Sequence, residues 1–171
     1  MKQQIRTFLV CGLLAALPTF AAPVADEVPS EPAPGPLEAM SRLVGGTWKI
    51  GPLSHVFEFG IARHTLHARS YYTEGNFVSE ARWFWHPGEK TIKGYAVDAA
   101  GSGLTEMTTT FEGDRMTNVL VLTNGDGESQ QYVGEWVFVD ADRYDWTLYS
   151  ETAGKREKQF EATGNRESPS R

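Results

Sequence analysis

Four histidines, His55, His64, His67 and His86, lie in one short stretch of the chain. They are the side chains best able to ligate a metal or move a proton near neutral pH. A metal or haem site needs two or three of them on one face. Strand periodicity puts His64 on one face and His67 and His86 on the other, so neither a metal ligand set nor a cofactor is expected. His64 with Asp98 makes the best acid–base pair. Tyr72 shares their face, so these three are the candidates for isomerase- or lyase-type chemistry. Asn124, Asp126 and Glu128 alternate in "NGDGES" like part of a calcium loop. No distal bidentate glutamate is set by a matching helix, and the stretch makes an adequate hairpin turn. Neither a nucleophile motif nor a Gly-rich phosphate loop occurs.

These residues sit in a chain whose period is two from Thr47 onward. Strands are expected at 46–50, 55–59, 64–72, 77–86, 91–98, 104–112, 115–123, 130–139, 144–151 and 156–163. The connections "TEGN", "HPGEK", "AAGSG", "EGDR", "TNGDGES", "DADR" and "TAGK" are short and rich in Gly, Asp and Asn. None can hold a crossover helix, so neighbours must be antiparallel. The expected fold is all-β, an antiparallel meander barrel of eight to ten strands, since closure removes exposed edges. Before it, Leu37, Met40, Leu43 and Val44 stand at helical spacing between Pro36 and Gly45-Gly46, which predicts a short helix.

The turns predict registers. A Glu74-Gly75 tip sets Tyr72 opposite Phe77, Arg69 opposite Glu80, Leu66 opposite Trp83 and His64 opposite Trp85. A Gly88-Glu89 tip sets Trp85 opposite Ile92, Trp83 opposite Gly94, Ala81 opposite Ala96 and Ser79 opposite Asp98. A Gly113-Asp114 tip sets Phe111 opposite Met116. Together they collect Leu66, Tyr72, Phe77, Trp83, Trp85, Gly94, Asp98, Met107, Asn118, Tyr132 and Trp136 on the inner face. Large side chains opposite small ones suit a curved interior. The polar groups among them, with His64, Ser70, Ser79 and Thr109, need partners, ordered water or a guest. Leu66, Tyr72, Trp83, Trp85, Gly94, Asp98, Met107, Asn118, Tyr132 and Trp136 are therefore the expected ligand-contacting set, with Gly94 and Ala96 leaving space opposite the tryptophans. The expected ligand is a small hydrophobic or amphipathic molecule. A protein-interaction module using outward Tyr71, Phe84, Tyr95 and Val97 is the alternative.

The ends point to export. Residues 1–21 have a basic start, an apolar run and small residues at the end, the pattern of a cleaved signal peptide with its cut near Ala21. The single cysteine, Cys11, lies inside that run, too early for lipidation, so the mature chain is without thiols. Residues 22–36 are rich in proline and acid and are expected to be a disordered linker. The barrel domain follows at 37–167 and a disordered tail at 168–171. The expected location is the periplasm or the exterior, as a monomer with no transmembrane segment after cleavage. The formal net charge of −6 weighs against a nucleic-acid partner.

In "LVGGTWKI" a short helix runs into Gly46-Thr47-Trp48, the Gly-x-Trp that opens the first strand of lipocalins. Helix, Gly-x-Trp strand and meander together resemble the calycin superfamily, especially small exported bacterial lipocalin-like domains, over roughly residues 37–166. The resemblance implies a barrel floor closed by Gly46 and Trp48, a late arginine packed on that Trp (Arg156 or Arg166), and binding of a small apolar molecule. The chain departs from the pattern in lacking a clear Thr-Asp-Tyr motif. It also lacks the Gly-x-Trp-x-Gly-x-Gly of haem-binding nitrobindins, having Ile50 two residues after Trp48.

Overall fold

Alternation of inward apolar and outward polar side chains from Thr47 to Glu167 produces ten antiparallel strands. They are β1 (Thr47–Ile50), β2 (Leu53–Phe59), β3 (Thr65–Tyr72), β4 (Phe77–His86) and β5 (Thr91–Asp98), followed by β6 (Gly103–Glu112), β7 (Arg115–Asn124), β8 (Ser129–Phe138), β9 (Arg143–Thr152) and β10 (Lys155–Glu167). The computed structural model describes residues 35–101 and 103–167. The expected signal peptide, the linker up to residue 34 and the 168–171 tail lie outside the described residues. Each strand pairs with the next, and β10 returns to β1, so the meander is a closed barrel.

The seam that closes it is short. Only Thr47, Trp48 and Lys49 pair with Glu167, Arg166 and Asn165. Because β1 has four residues and β10 thirteen, residues 155–164 of β10 find ladder partners only on β9. That edge carries Lys155, Arg156, Glu157, Lys158 and Glu161 and a register shift between Lys158 and Phe160. Charges and bulges of this kind discourage pairing with another strand.

The expected helix is a 3-10 helix, Glu38–Leu43. Three residues per turn align Leu37, Met40 and Leu43 on one side, and all three are fully buried. They plug the end of the barrel where β1 begins. Gly45 and Gly46 follow with φ of +91° and +70°. A side chain at Gly46 would also bring its Cβ within 2.6 Å of the Glu167 carbonyl, so the turn into β1 needs glycine there.

The β4–β5 and β6–β7 registers follow the turns as expected, with Trp83 opposite Gly94, Ser79 opposite Asp98 and Phe111 opposite Met116. The β3–β4 register holds from Leu66–Trp83 up to Ser70–Ser79 and then shifts, pairing Tyr71 with Phe77. The loop is wider than two residues: Tyr72 N–H donates to Asn76 O and Gly75 N–H to Tyr72 O. This corrects the expected pairing of Tyr72 with Phe77. Phe77 pairs with outward Tyr71 and leaves the inner face, while Tyr72 keeps its inward register opposite Leu53; both are exposed at the tip, at 47% for Tyr72 and 43% for Phe77.

His64 is the other correction. It does not pair with Trp85 inside the barrel. It caps a short 3-10 turn, Ile61–Arg63, is exposed, and precedes the first residue of β3. Ala62 and Arg63 adopt left-handed φ values of 49° and 58°, which turns the chain before β3 begins.

Candidate functional site

The barrel interior divides into a packed floor and a less buried upper half. The floor is built on Trp48. Its indole N–H donates to Leu43 O at 2.8 Å, and the Arg166 guanidinium lies over its ring at 4.5 Å. That guanidinium also donates to the carbonyls of Arg42, Val44 and Gly45 and pairs with Asp142 at 3.3 Å. Arg166 is thus the late arginine on the tryptophan. Arg156 lies far along β10 and is held by Glu151 and Glu135.

Tyr144 packs on Trp48 at 4.7 Å and stacks on Trp136 at 4.9 Å. Its ring also covers Gly164, where an added Cβ would come within 2.4 Å of the ring. The Tyr144 hydroxyl is buried without a hydrogen-bond partner among the described residues. Burial pushes its pKa well above the usual tyrosine value. Higher up, Phe57 crosses the interior to meet Trp83 at 6.3 Å and Trp136 at 6.2 Å, so the lower half is filled.

Several expected ligand contacts belong to this packing. Leu66, Trp83, Gly94 and Met107 are buried. Gly94 does not leave free space: a Cβ there would meet Arg82 O at 2.7 Å, Trp83 Cδ1 at 2.9 Å and Met107 Cε at 3.2 Å. Glycine lets the Trp83 indole lie flat on β5. Asn118 is buried as well, but its Oδ1 accepts a 2.6 Å hydrogen bond from Thr109 Oγ1. Two polar groups thus satisfy each other without a guest.

Above Phe57 the inner wall changes character. Register places His55, Ser70, Ser79 and Asp98 side by side across β2, β3, β4 and β5, each the direct partner of the next. Direct partners have Cβ atoms roughly 5 Å apart. His55 Nδ1 is 2.8 Å from Ser70 Oγ, while His55 Nε2 is buried and has no partner. Burial lowers the His55 pKa from 6.5 to about 4, so the ring is neutral near neutral pH. In either tautomer Nε2 keeps an unmet hydrogen-bonding capacity. Trp83 Nε1 is a second buried donor with no partner.

Ser79 and Asp98 are only half-buried, as are Ala81, Ala96, Thr105, Leu120 and Tyr132, although all take inward positions of a closed barrel. Such exposure comes from an interior that opens at its upper end. There the ends of β7, β8 and β9 frame a cavity of about 300 Å³ lined by Leu122, Asn124, Glu128, Ser129, Gln130 and Thr152. Beside it, along the unpaired edge of β10, Phe160 is 45% exposed with its ring edge-on to Trp146 at 5.3 Å.

The proposed acid–base pair does not assemble. His64 precedes β3, whose first residue Thr65 pairs with Phe84, whereas Asp98 pairs with Ser79. Along β4 those levels are about 17 Å apart at the usual strand rise. The interior histidine is His55. Its signal was the run His55, Phe57, Phe59, which alternates with Val56 and Glu58 and shares one face. Among the described residues, no group of three or more His, Cys, Asp or Glu could hold a metal.

The architecture defines an all-β protein with a closed ten-stranded antiparallel barrel, compatible with a lipocalin-like barrel. Comparison with protein-family models and with curated proteins found no match.

Proposed function

We propose that this chain is an exported lipocalin-like protein of the calycin type that holds a small, mostly apolar molecule in the upper half of its barrel. The observation that carries the reading is the contrast inside one closed barrel. Below Phe57 the side chains are packed, and above it inward residues from Ala81 to Tyr132 stay half-buried beside the unpartnered His55 Nε2. Apolar walls with a few convergent polar groups are what a small-molecule site requires. The Gly46-Thr47-Trp48 turn and the Arg166–Trp48 stack support the family likeness.

Native mass spectrometry on freshly purified protein should find a small-molecule adduct. Its extract, added back to stripped protein, should change the tryptophan emission. A protein that carries nothing, and whose emission ignores apolar probes, would remove the reading. Export is tested separately by sequencing the secreted or periplasmic protein, which should begin at Ala22. An interaction module draws support from Tyr95, Val97 and Leu104, exposed at 40%, 43% and 43% on adjoining strands. Capture of a partner that is lost on Val97→Lys, with ligand content unchanged, would favour it.

A further inference from the structure

We infer that the molecule held in the barrel carries a long hydrocarbon chain, which leaves sideways through a gap in the wall between β10 and β2 and lies on Phe160 and Trp146. The inference rests on the ligand-binding reading above and deepens it, from a small apolar molecule to one with a long flexible tail.

The gap follows from strand length. β1 stops at Ile50, which pairs with Leu53 at the start of β2. β10 extends past the last seam pair, Lys49–Asn165, and its residues 155–164 have no ladder partner on that side among the described residues. Above the β1–β2 turn no strand therefore lies between β10 and β2. Across the gap, Tyr72 keeps its inward register opposite Leu53 and is 47% exposed. On the β10 side Phe160 takes an inward position opposite Leu148, itself the partner of Gly134, and is 45% exposed. Trp146, Leu148 and Ala162 share that inward face and are only partly buried. Inward side chains of a closed barrel meet solvent where its wall or mouth is open.

The chemistry of this surface selects hydrocarbon. Phe160 meets Trp146 edge-on at 5.3 Å, and Trp146 meets Trp136 at 6.3 Å, so apolar surface runs unbroken from the core to the gap. The charges of β10 stand off from it. Lys158 and Glu161 pair with each other on outward positions, and Glu157 and Lys155 take inward register only higher up, opposite Ser150 and Thr152. A strand from another chain would meet those charges and the register shift between Lys158 and Phe160. A hydrocarbon chain needs no ladder and meets neither. Space points the same way. The cavity at the upper end holds about 300 Å³, the low end of the roughly 300–1,000 Å³ usual for small-molecule sites. A long chain exceeds it, and the aromatic pair beside it is where the added methylenes find cover from water.

The test is a chain-length series of straight primary alcohols, from octanol to tetradecanol, each below its solubility limit. Binding to the full mature chain and to Phe160→Ser is followed by tryptophan emission and native mass spectrometry. Full burial of one methylene is worth about fourfold in affinity, so partial cover on Phe160 and Trp146 should give about twofold per added carbon up to tetradecanol. In Phe160→Ser octanol should bind as in wild type, which also shows that the variant is folded, while the gain beyond decanol should disappear. Tetradecanol with a terminal bromine should quench wild-type emission and lose part of that quenching in Trp146→Phe. Equal chain-length slopes in wild type and Phe160→Ser, a wild-type affinity that stops rising at decanol, or quenching undiminished in Trp146→Phe would each overturn the inference and leave the ligand-binding reading standing. So would a dimer that Phe160→Ser returns to monomer, since a second copy would then fill the gap. Failure of every alcohol to bind would overturn both.

Discussion

His55 makes a quantitative prediction about acid stability. Its folded pKa is about 4 against 6.5 unperturbed, because burial disfavours the imidazolium. The native state therefore binds fewer protons than the unfolded chain between these values, and stability must fall as pH drops through that window. Well above 6.5, from about pH 8, the group is neutral in both states and contributes no pH dependence. From about pH 7 to pH 5 the loss from this one residue is about 2 kcal/mol, and by pH 4 about 3 kcal/mol. Below the folded pKa the loss levels off. Urea titrations followed by tryptophan emission at stepped pH measure this directly. Carboxylates titrate over the lower part of the same range, so the informative quantity is the difference between the wild type and His55→Gln, which keeps a hydrogen-bonding group and cannot ionise. The variant should be flatter than wild type by about 2 kcal/mol between pH 7 and pH 5. Parallel pH profiles would refute the burial argument and put His55 in contact with water.

Other substitutions test the floor and the chamber separately. Tyr144→Phe removes a buried hydroxyl with no partner, and should leave the protein equally stable or up to about 1 kcal/mol more stable in urea. Gly164→Ala forces a Cβ into the Tyr144 ring, and should cost about 1–3 kcal/mol by the same measurement. Arg166→Gln removes the guanidinium from Trp48 and from three carbonyls, and should cost about 2–3 kcal/mol, seen as an earlier urea midpoint. For ligand binding, His55→Gln should weaken uptake of whatever the wild type binds, while Tyr144→Phe should leave it unchanged in a fluorescence titration.

Much of the barrel was legible because short turns convert counting into register. The "PGEK" tip fixed β4 on β5 from Trp85–Ile92 to Ser79–Asp98, and the "EGDR" tip fixed β6 on β7. The tip at "YYTEGNFV" was legible only below Ser70, since nothing in those residues announces that the chain takes up an extra residue there. His64 was misplaced for a related reason. Left-handed backbone at Ala62 and Arg63 is rare outside glycine and leaves no compositional mark, so the start of β3 could not be read to the residue. The floor was legible as Gly46 and Trp48, but the choice of Arg166 over Arg156 depended on a seam of three residue pairs. The site was least legible. Thr109 and Asn118 satisfy each other across two strands, while His55 gains one partner and keeps one nitrogen unmet, and only coordinates separate these cases.

Those cases also decide which unmet polar groups bear on function. An orphaned hydroxyl alone is no such mark. Tyr144 has one, yet it is sealed between Trp48, Trp136, Phe138 and Gly164, where no second molecule has room. Its cost is a by-product of using a large flat ring to fill the floor. His55 differs in its surroundings. Phe57 bounds it below, and on the same row Ser79 and Asp98 keep partial exposure, so a guest can approach from above. An imidazole held neutral by burial forgoes about 3 kcal/mol of acid stability, and strongly shifted groups of this kind concentrate at working sites. A leucine at position 55 would fill the space without that cost. Retaining a half-satisfied histidine beside an open chamber is therefore physically reasonable when something that enters the chamber completes its hydrogen bonds.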